Sequence, residues 1–196
     1  MLDDAALNAL FRHARSHNGW LPDEVPPALI HQLYELMKWG PTSVNCSPAR
    51  FLFLSTPQAK ERLRPHLAAG NVDKAMSAPV VVVIGHDLAF AERLPQLFPH
   101  NPGVRSAFEG EGLRAHAAQT ALRNGTLQGA YLMMAARALG LDCGPLSGFD
   151  APGVDETFWG GTQVRTNFLC CLGHGDAKRL FPRLPRLSFE EACQIL

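Results

Sequence analysis

An α+β fold, a central mixed β-sheet flanked by helices, is predicted from three observations. Val80–Ile84 is a continuous β-branched run, the pattern of a strand buried on both faces. A long helical stretch runs from Leu113 to Leu139 and is closed by Gly140. Helices and strands otherwise do not alternate regularly, which argues against a doubly wound parallel sheet.

The elements follow in order. A first helix is expected from Asp3 to Arg15, then the polar Ser16-His17-Asn18-Gly19-Trp20 and a proline-rich link. Pro27–Trp39 carries Leu29, Ile30, Leu33, Leu36 and Met37 on one helical face. Gly40 and Pro41 end that helix, and Gly40–Arg50 forms a stiff hinge whose Thr42, Ser43, Asn45 and Ser47 offer hydroxyl and amide groups. Phe51–Leu54 reads as a short buried strand, and Pro57–Leu67 as a helix closed by Ala68-Ala69-Gly70-Asn71. Residues 87–112 are irregular and hold Phe90, Phe98 and Phe108. The long helix contains Gly125 and Gly129, each costing ~1 kcal/mol against alanine. Their spacing implies close approach of another helix or a flat ligand. Leu141–Leu146 and Thr166–Gly173 read as strands, and Ser188 with Glu191 begins a short last helix through a capping box. No repeat or low-complexity tract interrupts the chain, so residues 1–196 are expected to form one domain.

Lys+Arg and Asp+Glu both number 18, so no global field selects nucleic acid or a membrane surface as partner. The low charge density implies that some apolar surface is covered by a partner, a second copy being the natural choice. The apolar run Pro79–Gly85 is too short to cross a bilayer, and Asp3 and Asp4 stand where a signal peptide would be basic. The five cysteines show no paired spacing, as expected of reduced thiols in a cytoplasmic protein. Cys170 and Cys171, adjacent in a strand, should face opposite sides of it.

Familiar chemical motifs are absent or misplaced. Gly110-Glu111-Gly112-Leu113-Arg114-Ala115 fits G-x-G-x-x-A, but no strand precedes it, which disfavours a dinucleotide turn. Gly144-Pro145-Leu146-Ser147-Gly148 is out of register with a nucleophile elbow, so a hydrolase built on Ser147, Asp150 and a histidine is disfavoured. The eight histidines form no metal-ligand pattern, and no metal is expected.

Four segments in order carry a resemblance: Pro41-Thr42-Ser43-Val44-Asn45-Cys46-Ser47-Pro48; Ala69-Gly70-Asn71; Leu139-Gly140-Leu141-Asp142 leading into Gly144–Asp150; and Arg183-Leu184-Pro185-Arg186. Together they resemble the FMN-dependent nitroreductase family. The resemblance implies a nitroreductase-like fold, an intertwined homodimer, FMN at the dimer interface, and NADH or NADPH as hydride donor. It also implies ping-pong hydride transfer through flavin N5 to a small-molecule electron acceptor, with no catalytic side chain. Arg15 and Arg186 match the phosphate arginines, with Arg183 as auxiliary. Pro41, Thr42, Ser43 and Asn45 would reach the FMN of the partner subunit. Asn71 suits the uracil-like edge of the ring. Pro145, Leu146, Ser147 and Gly148 would run beside the ring, with a backbone N–H of Ser147 or Gly148 at N5 and Gly148 lying flat against it.

Where many members have a second basic residue after the first arginine, Arg15 is followed by Ser16-His17-Asn18, so His17 or Asn18 is left to serve the N1/O2 region. Within the family, the segments Ala14–Trp20, Met37–Arg50, Glu92–His100 and Arg183–Cys193 are most similar to its malonic semialdehyde reductase subgroup. That implies reduction of malonic semialdehyde to 3-hydroxypropanoate in pyrimidine degradation. A cation for the substrate carboxylate is then sought among Arg105, His100 and Arg123, with Arg105 favoured because Phe108 would shield it. The alternatives are a broad quinone or nitroaromatic reductase, and a flavin-binding protein without turnover.

Overall fold

Val80–Ile84 needs apolar cover on two sides, and the computed structural model, which describes residues 1–196, supplies it. The strand β2 (Val80–Asp87) is flanked by β1 (Ala49–Leu54) on one side and β4 (Val164–Gly173) on the other, and β3 (Asp142–Leu146) completes the sheet in the order β1-β2-β4-β3. Every neighbouring pair is antiparallel, from Phe51 opposite Ile84 to Cys143 opposite Leu172. The expected mixed sheet is therefore corrected. The parallel pairing is confined to an isolated bridge between Ser16 and Cys143 outside the strands. Helical excursions return the chain antiparallel from β1 to β2 and from β3 to β4, while α6 carries it from β2 past β4 to β3 at the other edge.

The pleat sends alternate residues into two cores. Val80, Val82 and Ile84 meet Cys143, Cys170 and Leu172 under α2 (Pro27–Met37) and α6 (Arg114–Ala138). Val81 and Val83 meet Leu169 and Cys171 under α3 (Pro57–Leu63), α4 (Ala69–Ser77) and α7 (Ala151–Trp159). Cys170 and Cys171 thus lie on opposite faces, as their adjacency requires. A smaller core joins Cys46 of the hinge to Phe90, Leu94, Ala117 and Ala121. It roofs the 87–113 segment, which folds as short 3-10 turns and α5 (Leu94–Leu97).

Several local expectations change. The first helix is short: α1 (Asp4–Leu7) runs into a π-turn over Asn8–Arg12. Ala69-Gly70-Asn71 is not a closing turn but the start of α4, and the α7 helix was not anticipated. Ser188 and Glu191 form the expected capping box on α8 (Phe189–Ala192). Gly125 and Gly129 do mark close approach, but to the sheet rather than to a helix or ligand. A Cβ on Gly125 would lie 2.9 Å from His86 Cβ, and one on Gly129 would lie 2.5 Å from the Phe168 ring.

Overpacking beneath α6 is a direct test of that contact. Gly129→Ala gains ~1 kcal/mol of helix propensity but forces Phe168 and Ile84 to move, a cost of about 1–3 kcal/mol. Urea denaturation should show a net loss of stability. Gly112→Ala, whose Cβ meets nothing within 4 Å, should show none.

Candidate functional site

The N-terminal segment and the tail beyond β4 close on each other around a cleft of about 470 Å³. Arg15, Asn18, Arg137, Arg183 and Arg186 line it beside Phe181. Arg15 donates to the Phe181 carbonyl and Arg183 donates back to the Ala14 carbonyl at 3.0 Å, so the two segments clasp each other. Arg137 caps the Leu10 carbonyl at 2.9 Å, where the π-turn leaves it free, and Arg186 bonds the carbonyls of Leu184 and Pro185. None of the four guanidiniums has a carboxylate partner. Four like charges around one cleft repel each other until an anion enters, and planar forks suit a phosphate. Arg15, Arg183 and Arg186, the three arginines that the resemblance groups, line this one cleft, and Asn18, which it left for the N1/O2 region, lines it too. Arg137, in the last turn of α6 and far in sequence from both segments of the clasp, was missed because only the tertiary fold delivers its side chain there.

A second cluster lies at the far end of β3. Gly148 O accepts from Ala68 N and from Asn71 Nδ2, both at 3.0 Å, and Phe149 N bonds back to Ser147 O at 3.1 Å. The N–H groups of Ser147 and Gly148 find no acceptor in the chain. Two adjacent free donors on a fixed loop are what an acceptor atom of a ligand would use. The chain itself supplies a reason for the missing Gly148 side chain: a Cβ there would lie 2.5 Å from Asn71 Nδ2. Leu146 points into the core and offers only backbone.

Lys74 belongs to this cluster and was not foreseen. It follows Asn71 by one helical turn on α4, is 8% exposed, and donates from Nζ to Pro145 O at 3.0 Å. Burial lowers its pKa, and no carboxylate faces it. Reading Ala69-Gly70-Asn71 as a helix start would have placed position 74 on the face of Asn71. The two clusters are separated by the length of β3, about 13 Å for four residues, which is the scale of a flavin mononucleotide.

The hinge lies elsewhere. It precedes β1, at the opposite edge of the sheet from β3, three strand spacings or about 14 Å away. Its polar groups are largely used at home. Thr42 Oγ1 accepts from Ser47 N at 3.1 Å, Asn45 Nδ2 donates to Leu97 O at 2.8 Å, Ser43 N donates to Asn124 Oδ1 at 2.8 Å, and Tyr131 donates to Pro41 O at 2.9 Å. Val44, Asn45 and Ser47 all have positive φ, of 47°, 50° and 38°. Left-handed conformations cost about 1–3 kcal/mol each in non-glycine residues, and these four ties hold them.

His17 does not join the cleft. It is buried, its Nε2 lies 3.3 Å from Asp142 Oδ1, and its ring fills the space that a side chain on Gly175 would need. Among the substrate candidates, Arg105 is engaged by Glu109, and His100 packs on Phe98 at 3.9 Å between ring centroids. Arg123 is exposed on α6 with no polar partner. Three buried cysteines are poor nucleophiles: burial pushes the Cys46 thiol up to about 11 and the Cys171 thiol up to about 12, and the Cys170 thiol is raised as well, by its contact with Cys143 and by burial.

Residues 12–174 match the model of the nitroreductase family. The chain belongs to that family. It is 58% identical over 195 residues, the full length of both chains, to a Cupriavidus pinatubonensis protein named "Putative NADH dehydrogenase/NAD(P)H nitroreductase". It is likewise 58% identical over 190 residues, 97% of each chain, to the protein of the same name, HadB, from Ralstonia pickettii. Its fold matches that of a nitroreductase-named Exiguobacterium sibiricum protein solved in complex with FMN, with TM-score 0.87 and 19% identity over 100% of this chain and 98% of that one. The Bacillus subtilis protein ydfN matches with TM-score 0.88 and 20% identity, over 99% and 100% of the two chains. A nitroreductase fold was the expectation, and FMN and NAD(P)H stand in the descriptions of these proteins as the resemblance implied.

The buried histidines carry a pH signature. Burial lowers the pKa of His17, against Asp142, which raises it, and lowers that of His86, against Asp155. The folded values lie below the ordinary 6.5, so the unfolded chain takes up these protons first as pH falls. Stability should fall as pH drops below about 6.5, by at most about 1.4 kcal/mol per pH unit for each histidine. Urea midpoints at pH 7.5 and 5.5 should differ less in His86→Gln than in the wild type. Equal differences would refute the burial assignment.

Proposed function

We propose that this chain is an FMN-dependent NAD(P)H oxidoreductase acting as a homodimer, with malonic semialdehyde as its acceptor. The observation that carries the flavin reading is the cleft of four arginines without a carboxylate, set one flavin length from two unused backbone N–H donors. Arg15, Arg137, Arg183 and Arg186 would hold the phosphate dianion, and Asn71 with Lys74 would meet the carbonyl edge of the ring. The N–H groups of Ser147 and Gly148 would face N5. When bound, FMN supplies two-electron transfer between NAD(P)H and the acceptor. The residues' task is to bind, orient and exclude water.

The second copy is argued from the edges of the sheet. The hinge cannot reach the cleft of its own chain, yet Trp39 beside it is 80% exposed. Tyr34 and Leu36 on α2 and Leu122 and Leu127 on α6 are exposed as well, as are Phe181, Leu184 and Leu187 on the tail. Apolar area of this kind is what an obligate interface covers. Pro41, Thr42, Ser43 and Asn45 would then stand against the partner's flavin. A monomer in light scattering that still holds FMN would refute this arrangement.

The protein should copurify yellow, and NADH should bleach it. Arg15→Ala, Arg137→Ala and Arg186→Ala should each weaken FMN binding by about 1.5–3 kcal/mol, the worth of a charged hydrogen bond. Unchanged affinity in all three would remove the phosphate assignment. Bound flavin that NADH does not bleach would indicate a binding protein without turnover.

The acceptor reading rests on the resemblance of the quoted segments. The Arg105–Glu109 pair favours a second reading, a broad quinone or nitroaromatic reductase, because it neutralises the cation expected to anchor a carboxylate. That pair is exposed and worth only about 0.2–1 kcal/mol, so a substrate carboxylate can compete for Arg105. A dedicated reductase should prefer malonic semialdehyde over an uncharged aldehyde of equal length by tenfold or more in kcat/KM, about 1.4 kcal/mol. Arg105→Ala or Arg123→Ala should erase the preference. A quinone preferred over both aldehydes would overturn the semialdehyde assignment and leave the flavoprotein reading standing.

A further inference from the structure

We propose that His66 is a positioning residue, which sets the Ser147–Gly148 loop through Asp150 and Thr157; the inference rests on the FMN reading above. Residues 66–68 and 148–150 run antiparallel as a short strap, with Asp150 N donating to His66 O at 2.7 Å and Ala68 N to Gly148 O at 3.0 Å. The His66 ring bridges the two ends of α7. Its Nε2 lies 2.8 Å from Thr157 Oγ1 in the last turn, and its Nδ1 lies 4.0 Å from Asp150 Oδ2 at the N-cap.

The helix makes room for this bridge. A Cβ on Gly153 would overlap His66 Nδ1 and come within 2.5 Å of Asp150 Oδ2. Glycine is a poor helix former, so its place inside α7 is accounted for by the His66–Asp150 pair. Arg62 adds a second tie to the same turn, donating to Thr157 O at 2.7 Å. The order carboxylate, imidazole, hydroxyl resembles an acyl-transfer relay, but Thr157 sits inside a helix whose N–H groups serve its own turns, so no oxyanion donors converge on it. The relay instead fixes a spacing. The Asp150 N–H is held by the His66 carbonyl and the Gly148 carbonyl by Ala68 and Asn71, so the strap carries the free Ser147 and Gly148 N–H groups, and the His66 ring, bonded to Thr157, anchors that strap to α7.

An N–H held at N5 favours the oxidised flavin, whose N5 accepts a hydrogen bond, over the reduced form, whose N5 carries hydrogen. Loosening the bridge should therefore raise the midpoint potential of the bound flavin and slow its reduction by misaligning the ring, while the phosphate cleft still retains FMN.

The test compares Thr157→Val, His66→Leu and His66→Gln in the full-length, FMN-loaded protein. Thr157→Val and His66→Leu should shift the two-electron equilibrium about tenfold, a rise of about 30 mV. They should slow bleaching by saturating NADH about tenfold and leave FMN affinity unchanged. His66→Gln, which keeps a donor and an acceptor, should recover at least half of both effects. In the FMN-free protein, amide exchange at Asp150 should quicken in the first two variants. Unchanged potential and bleaching with FMN bound would overturn the proposal, as would a loss of FMN affinity in step with the rate. Thr157→Val, nearly volume-conserving, carries the test if His66→Leu does not fold. A wild-type protein that binds no FMN would sink the flavin reading itself, and unchanged Asp150 exchange would then overturn the positioning role independently.

Discussion

A strand with no polar face cannot sit at an edge, and Val80–Ile84 has none. Its five side chains are at most 1% exposed, so β1 and β4 must pair along both sides of it and a helical layer must cover each face. This one requirement places everything of functional interest. It pushes β1 to one edge with the hinge at its start, and leaves β3 at the other edge with the Ser147–Gly148 loop at its end. The two polar segments that most resemble the family's flavin site are thereby held apart within a single chain, which is the ground for the second copy proposed above.

Electrostatics then divides the labour along β3. At its start, four guanidiniums converge without carboxylates, and each spends hydrogen bonds on backbone carbonyls of the N-terminal segment or the tail. Such bonds order the arginines but do not neutralise them, so the cleft keeps its appetite for an anion. At its end, the donors are weak and directional: an amide on Asn71, two peptide N–H groups, and a buried ammonium on Lys74. A phosphate needs charge and a heterocycle needs direction, and the two ends of one strand offer these separately.

The parts legible in the sequence were those governed by local rules. The β-branched run, the helix over 114–138, the capping box at Ser188 and the opposite faces of Cys170 and Cys171 follow from periodicity and side-chain chemistry, which neighbours do not alter. Misreadings fell where tertiary contacts override local preference. Ala68-Ala69-Gly70-Asn71 looks like a helix stop, yet it opens α4, whose N-cap residue Ala68 is tied to Gly148 O through its own N–H. Gly148, expected to lie against a flat ring, is also close to Asn71; Gly125 and Gly129, expected to face a helix or a flat ligand, face His86 and Phe168 of the sheet. A glycine announces that something is close, but not what.

By itself the sequence determined the α+β class, the central strand, and, through four ordered segments, the nitroreductase resemblance with its arginines at 15, 183 and 186 and its amide at 71. These depend on residue type and order along the chain. Only the tertiary structure decided that all strands pair antiparallel, that Arg137 lines the arginine cleft and Lys74 reaches Pro145 O, and that His17 turns inward to Asp142. It also spent part of the hydrogen-bonding capacity of Thr42 and Asn45 within the chain, on Ser47 N and Leu97 O. The reason is the same in each case. Partners distant in sequence meet only after the sheet has fixed which edges face which, and a polar group's availability is settled by the acceptor or donor that packing brings beside it.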